Sequence, residues 1–166
     1  MIVMIAGLPG SGKSYFAEKL AERLGAVYIS SDQVRKAVQA LGQYSFQDKF
    51  KIYKEMVRLA AHTLKEHKTV IVDATFYQQP IRDLFFSLAK TLFVPLIFIE
   101  VYADEDLIRE RLKKPREHSE ADFTVYKKVK NDFENITEPH LKLQSNNENI
   151  QNMLNKAIQY INNAHE

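Results

Sequence analysis

Short apolar runs alternate with longer amphipathic stretches along the whole chain. Ile2-Val3-Met4-Ile5-Ala6 is apolar at every position, the pattern of a strand covered on both faces. From Lys13 to Leu24 the period changes. Phe16, Ala17, Leu20, Ala21 and Leu24 fall on one helical face, and Gly25 is a helix stop. Val27-Tyr28-Ile29 predicts a second strand, Thr69 to Asp73 a third, Pro95 to Val101 a fourth and Leu141-Lys142-Leu143 a short fifth.

The intervening stretches predict helices. Ser30, Ser31 and Asp32 are N-cap types for a helix through Val34, Val38 and Leu41, and a second helix runs from about Gln47 to Glu66. Pro80 opens a helix through Ile81, Leu84, Phe85 and Leu88. Asp104 to Leu112 is helical, with Pro115 interrupting. Ser119 and Asp122 resemble a capping box before a helix carrying Phe123, Tyr126, Val129 and Phe133. Ile150, Met153, Leu154, Ala157, Ile158 and Ile161 mark a last amphipathic helix. Strands alternating with helices imply a parallel sheet with helices on both faces, an α/β protein of three layers, α/β/α. No repeat, low-complexity tract or long linker divides the 166 residues, so they are expected to form one domain.

Composition narrows the function classes. The net charge of +2, from 23 Lys/Arg against 21 Asp/Glu, is too mild to require a nucleic-acid or membrane partner, although a local basic cluster would still serve. The absence of cysteine excludes disulfide partners and thiolate metal sites. No apolar run reaches membrane-span length, and the apolar start is too short for a signal peptide and lacks a basic leader. A cytoplasmic location is the expectation. None of the five histidines has a metal-ligand spacing.

The candidate chemistry begins at Gly7-Leu8-Pro9-Gly10-Ser11-Gly12-Lys13-Ser14, which fits G-x-x-x-x-G-K-[ST] at every defined position. Phosphate oxygens need several converging backbone N–H donors, and glycines let the chain curl closely around them. Ser11 and Gly12 supply amides at the start of a helix whose dipole favours an anion. Lys13 can neutralise β- and γ-phosphate charge, and the Ser14 hydroxyl can ligate Mg²⁺. A chance match in a chain of this length is on the order of 1%, and this one follows a buried strand and opens a helix. ATP with Mg²⁺ is the expected ligand. Tyr15, next along, either approaches the nucleotide or packs within its helix.

Ligands of open parallel sheets sit beyond the carboxyl ends of the strands. Asp73 ends the third strand, where it either holds Mg²⁺ through water or caps the strand end. Ala74 follows it in place of the water-activating Glu of motor-type ATPases, which favours transfer over hydrolysis. Asp32 follows the second strand. It is either a base or orienting group for an acceptor hydroxyl or a helix N-cap. Arg35, three residues on, can grip an anionic or polar substrate or stand as a solvated charge. Leu107 to His118 carries Arg109, Arg111, Lys113, Lys114 and Arg116, either a basic lid hinged at Pro115 or a solvated helix end. Arg111 and Arg116 are the candidates to stabilise the moving phosphoryl group. Tyr44, Phe46 and Phe50 can stack on a base or sugar, but core packing is the simpler expectation.

These pieces together resemble the small P-loop kinases grouped with the AAA-like kinase family, which include polynucleotide 5′-hydroxyl kinases, gluconate-type kinases and zeta-toxin-like enzymes. The resemblance spans nearly the whole chain. It rests on GLPGSGKS at 7–14, ISSDQVRK at 29–36, VIVDATF at 70–76 and RERLKKPREHSEADFTVYKKV at 109–129. It implies a P-loop NTPase fold with a five-stranded sheet, a substrate-covering helical region over about 33–67 and a small helical lid over about 109–122. It also implies that Asp32 acts as general base, that Arg35 binds substrate phosphate as in phage-type polynucleotide kinases, and that Arg111 and Arg116 match the lid arginines. One extra residue, Pro115, stands in that spacing. Thr75, in the Asp-Ala-Thr-Phe stretch, is a further substrate-binding candidate. The expected activity is transfer of the γ-phosphoryl of Mg-ATP to a hydroxyl on a small molecule, a nucleotide or a nucleic-acid 5′ end. The alternative is a nucleotide-dependent switch without an acceptor. Neither N-K-x-D nor D-x-x-G occurs, which counts against a GTPase.

Overall fold

The computed structural model describes residues 1–66, 69–114 and 121–164. Five parallel strands form one sheet: β1 (Ile2–Ala6), β2 (Val27–Ser30), β3 (Val70–Asp73), β4 (Leu96–Tyr102) and β5 (Leu141–Gln144), in the order β2-β3-β1-β4-β5. Among the described residues seven helices accompany them: α1 (Lys13–Leu24), α2 (Ser31–Ala37), α3 (Phe46–Lys65), α4 (Gln79–Leu92), α5 (Glu105–Leu112), α6 (Phe123–Asp132) and α7 (Ile150–Asn163). β1 lies at the centre and is wholly buried, as its unbroken apolar run requires.

Alternate residues of β1 feed two cores. Ile2, Met4 and Ala6 pack with Met56 of α3 and Phe85 of α4 on one face. Val3 and Ile5 pack with Phe16 and Leu20 of α1 and Leu154 of α7 on the other. The three-layer α/β/α architecture follows from that division.

The register positions the site. Asp73 lies opposite Ile5 on one side and Ser30 on the other. The chain leaves β1 toward β2 but leaves β3 toward β4, on the far side of β1. Connections departing in opposite directions open a crevice at the strands' carboxyl ends. The ends of β1, β2 and β3 therefore meet at one edge.

The structure corrects several local boundaries. α2 stops at Ala37 instead of continuing through Leu41, because Gln39 and Gly42 adopt left-handed backbone (φ 56° and 79°). Val38 and Leu41 continue the apolar spacing yet are exposed, so no packing extends the helix. Of the three N-cap types, Ser30 is the cap, accepting from the Gln33 N–H, and Asp32 sits in the first turn. α3 begins at Phe46 behind a reciprocal capping box of Ser45 and Asp48. Asp122 caps α6 by accepting from the Val125 N–H, while Ser119 lies outside the described residues. α5 and α6 meet through a small cluster of Ile108, Leu112 and Tyr126, which also touches Leu8 of the phosphate loop.

Candidate active site

The loop after β1 is shaped by two left-handed glycines, Gly10 (φ 78°) and Gly12 (φ 88°), a conformation that side chains with a Cβ resist. Both are also crowded. A Cβ on Gly10 would lie 3.0 Å from Ile108 Cγ2, and one on Gly12 would lie 3.0 Å from Ser145 Oγ and 3.2 Å from Arg111 Nη1. A Cβ on Gly7 would meet the Val101 carbonyl oxygen at 2.4 Å. Gly12 is the N-cap of α1, and among the described residues no side-chain cap hydrogen bond is made there. The first-turn amides are the donors that an anion at a helix N-terminus would engage. Lys13 is buried at the same point, and Ser11 Oγ is buried with no hydrogen-bond partner among the described residues.

Asp73 is buried at the end of β3. Its Oδ2 accepts a 2.6 Å hydrogen bond from the Tyr28 hydroxyl of β2. Burial and then the Asp73 charge push that hydroxyl far above the ordinary tyrosine range, so it remains a donor. Asp73 Oδ1 is buried and lacks a partner among the described residues. A carboxylate fixed through one oxygen with the other unsatisfied fits a hard cation or its water shell, and Ser14 offers a second oxygen donor. No group of three or more His, Cys, Asp or Glu able to hold a metal occurs among the described residues. A cation here would therefore draw on phosphate and water oxygens as well, as Mg²⁺ commonly does.

Two cavities flank the loop. The larger, about 720 Å³, is lined by Gly10, Gly12 to Phe16, Arg111, Lys114 and residues 145–147. Arg111 crosses it. Its Nη1 donates to the Gly10 carbonyl (3.1 Å) and to Ser145 Oγ (3.0 Å), and its Nη2 to Asn147 Oδ1 (3.3 Å). Ser145 Oγ in turn donates to the Ser11 carbonyl. Arg111 thus ties α5 to the phosphate loop and to the segment after β5. Tyr15 lines this cavity and is exposed rather than packed within its helix.

The smaller cavity, about 210 Å³, shares Lys13 with the first and is lined by Pro9, Asp32, Arg35, Tyr44, Lys49, Tyr53, Thr75 and Lys128. Arg35 Nη1 stands 3.9 Å from Asp32 Oδ1, and its guanidinium lies over the Tyr44 ring at 4.8 Å. Tyr44 is therefore a cavity wall, not the core residue that its aromatic character suggested. Phe46 is also exposed, and Phe50 is half-buried with its ring stacked on Phe46. Thr75 Oγ1 is 3.1 Å from the Tyr53 hydroxyl, which also accepts from the Phe76 N–H. Phe76 is itself left-handed (φ 47°), and Arg82 of α4 holds its carbonyl through Nε at 2.7 Å. The fully buried Arg82 also donates from Nη1 to the Asn135 carbonyl at 3.0 Å.

The structure thus gathers Lys13, Ser14, Asp32, Arg35, Asp73 and Thr75 at one sheet edge. Arg111 reaches the phosphate loop from the side of the larger cavity. Pro115 and Arg116 lie outside the described residues. Ser145 and Asn147 were missed in the sequence, although Gln144-Ser145-Asn146-Asn147 follows a strand's carboxyl end by the same rule that flags Asp32 and Asp73. Lys49 and Lys128 carried no local signal.

A phosphate loop opening a helix at the switch point of a parallel sheet, with a strand-end Asp beside it, defines a P-loop nucleotide-binding protein of the small-kinase type. The chain belongs to the AAA domain family, which matches residues 2–140. An APS kinase from Mycobacterium tuberculosis in complex with AMPPNP and APS has a similar structure, with a TM-score of 0.75 at 17% identity, covering 97% of this chain and 96% of that one. So does a sugar kinase from Janibacter sp. HTCC2649, with a TM-score of 0.74 at 15% identity, covering 97% of this chain and 94% of that one. A gluconokinase from Sinorhizobium meliloti 1021 gives a TM-score of 0.69 at 17% identity, covering 95% of this chain and 89% of that one. At these identities the likeness is one of fold. In sequence, an uncharacterised protein of Mycobacterium tuberculosis (strain H37Rv) is 28% identical in a match of 123 residues that covers 67% of this chain. The matched region is only 25% of the length of that protein. No helix among the described residues is long and apolar enough to cross a membrane.

Proposed function

We propose that the protein is a kinase that moves the γ-phosphoryl group of Mg-ATP to a hydroxyl of an acceptor held in the smaller cavity. One observation supports this reading above the others: two separate cavities border the phosphate loop, and Lys13 lines both. A switch that only binds nucleotide has no need of the second cavity. The similar APS kinase is in complex with AMPPNP and APS, which agrees with nucleotide-dependent transfer.

In this reading the larger cavity takes ATP, with its phosphates on the amides of Gly10 to Ser14. Lys13 lies where the terminal phosphate would meet the acceptor and offsets the charge that spreads over the moving group. Ser14 and Asp73 hold Mg²⁺, which neutralises β- and γ-phosphate charge when bound. Arg35 and Thr75 position the acceptor. Its oxygen forms the new bond to the γ-phosphorus, the bond to the β–γ bridging oxygen breaks, and ADP leaves. The hydroxyl proton passes to the Asp32 carboxylate. Arg111 fixes the loop and the 145–147 segment around the nucleotide, and its remaining N–H donors face the phosphates. Nucleotide-binding roles for Tyr15 and Arg116 belong to the same proposal.

The test is a screen with γ-labelled ATP over 5′-hydroxyl oligonucleotides, nucleosides, sugars and sugar acids. The reading expects label transfer to one acceptor class, abolished by Lys13→Ala. Slow ATP turnover that no acceptor changes would favour the switch instead.

A further inference from the structure

Phe76 adopts left-handed backbone (φ 47°) although it is not glycine, and it is fully buried. Such strain persists only where the surroundings over-determine it. Here both main-chain polar groups of Phe76 are taken up by side chains from two helices. Its N–H donates to the Tyr53 hydroxyl of α3 at 3.3 Å, and its carbonyl accepts from Arg82 Nε of α4 at 2.7 Å. Its ring stands edge-on to Phe85 at 5.2 Å and tilted against Tyr53 at 5.6 Å. The residue before it is Thr75, which lines the smaller cavity together with Tyr53. The proposed transfer uses Thr75 and leaves Tyr53 without a part.

Hydrogen-bond accounting then fixes a direction. Tyr53 is buried, and its hydroxyl oxygen lies 3.1 Å from Thr75 Oγ1. On distance alone either hydroxyl could supply the proton. Burial pushes the Tyr53 hydroxyl up to about 12, so it keeps its proton near neutral pH. That proton needs an acceptor. The Phe76 N–H can only donate, and Thr75 Oγ1 is the other partner of the Tyr53 oxygen among the described residues. Were Thr75 to donate to Tyr53, the tyrosine would receive two hydrogen bonds and hold a buried proton with no acceptor. With Tyr53 donating, each polar group from the Phe76 N–H to Thr75 Oγ1 is satisfied, and the Thr75 proton is left over. Thr75 is half-buried and has no further hydrogen-bond partner among the described residues. It lines the cavity, so the cavity is where that proton has room.

We propose that Tyr53 is a positioning residue that turns the Thr75 hydroxyl into a directed donor, and that the acceptor meets this donor with an oxygen other than the one that attacks phosphorus. The inference rests on the kinase reading, because it takes this cavity to be the acceptor's. In that reading Asp32 takes the proton of the reacting hydroxyl, while Thr75 gives a hydrogen bond to a second oxygen. The two side chains therefore read the acceptor in opposite senses, one as a donor and one as a lone pair. An ammonium or amide N–H in place of the second oxygen would face a donor and be rejected.

Neutron diffraction from deuterium-exchanged crystals of the full chain reads the direction itself. We expect the Tyr53 deuteron on the line to Thr75 Oγ1 and the Thr75 deuteron turned away from Tyr53. A Thr75 deuteron aimed at the Tyr53 oxygen overturns the proposal. Transfer kinetics read the consequence, using whichever of ribose, gluconate, adenosine and a 5′-hydroxyl oligonucleotide takes label from γ-labelled ATP. Thr75→Val and Tyr53→Phe each raise the KM for that compound about tenfold, change kcat less than KM, and leave the affinity for a non-hydrolysable ATP analogue as in the wild type. Thr75→Ser, which keeps the hydroxyl, recovers most of the KM lost in Thr75→Val. The double variant is no worse than Thr75→Val alone, because Tyr53 acts through Thr75. Additive effects in the double variant, or a Tyr53→Phe effect confined to thermal stability, overturn the positioning role and leave the kinase reading intact. Should Tyr53→Phe fail to fold, Thr75→Val decides by itself: an unchanged KM overturns the proposal. If none of the four compounds takes label, the kinase reading fails and the acceptor contact with it, while the neutron map still decides the direction of the hydroxyl.

Discussion

At the scale of single residues, the account depends on side chains held with one polar atom satisfied and another waiting. Asp73 shows the arrangement most simply: Oδ2 is occupied by Tyr28, and Oδ1 is buried without a partner among the described residues. Tyr28→Phe removes that donor and frees the carboxylate to rotate. The expected result is a rise of roughly tenfold in the Mg²⁺ concentration needed for half-maximal binding of an ATP analogue, with the fold retained. Asp32 stands in the first turn of α2, and Ser30 rather than Asp32 caps that helix. Asp32→Asn is expected to lower kcat about 10²- to 10⁴-fold and to leave ADP affinity nearly unchanged, measured by transfer kinetics beside a binding titration. Lys13, Ser14, Asp32 and Asp73 were legible in the sequence because a local motif or a strand end marks each of them. Lys49, Lys128 and Ser145 were not, because their positions depend on how α3, α6 and β5 pack, and no neighbouring residues encode that.

At the scale of elements, the site is a set of loop ends aligned by strand register, and the helices fix how far each loop can move. The strands were read almost to the residue because an unbroken apolar run has no other stable home than a buried sheet. α2 was overread, since the apolar spacing of Val34, Val38 and Leu41 continues past Ala37 while the chain turns outward there. The start of α3 was read to within a residue, but the capping box of Ser45 and Asp48 that fixes it was not recognised. Ser45→Ala is expected to cost about 1 kcal/mol, seen as a melting temperature lower by roughly 2–4 °C. Arg82 plays the matching part for α4. Its buried guanidinium holds the left-handed Phe76 and the 135 carbonyl together, which fixes Thr75 on the cavity wall.

At the scale of the whole molecule, the parallel sheet and its switch point bring three loops to one edge, and two cavities border the phosphate loop there, which the proposed function assigns to nucleotide and acceptor. The net charge of +2 conceals this division. Lys13, Arg35, Lys49 and Lys128 line the smaller cavity although they are far apart in sequence, a grouping that composition alone cannot reveal. The central claim is that Gly10 to Ser14, with Lys13 between the cavities, grips the polyphosphate of Mg-ATP. Calorimetric titration of a non-hydrolysable ATP analogue with Mg²⁺ into the wild-type chain and Lys13→Ala tests it most directly. The account predicts a single site in the wild type, weakened about 100-fold or more in a variant that remains folded. Absence of binding at millimolar analogue in well-folded wild-type protein, or equal affinity in the two proteins, would contradict it.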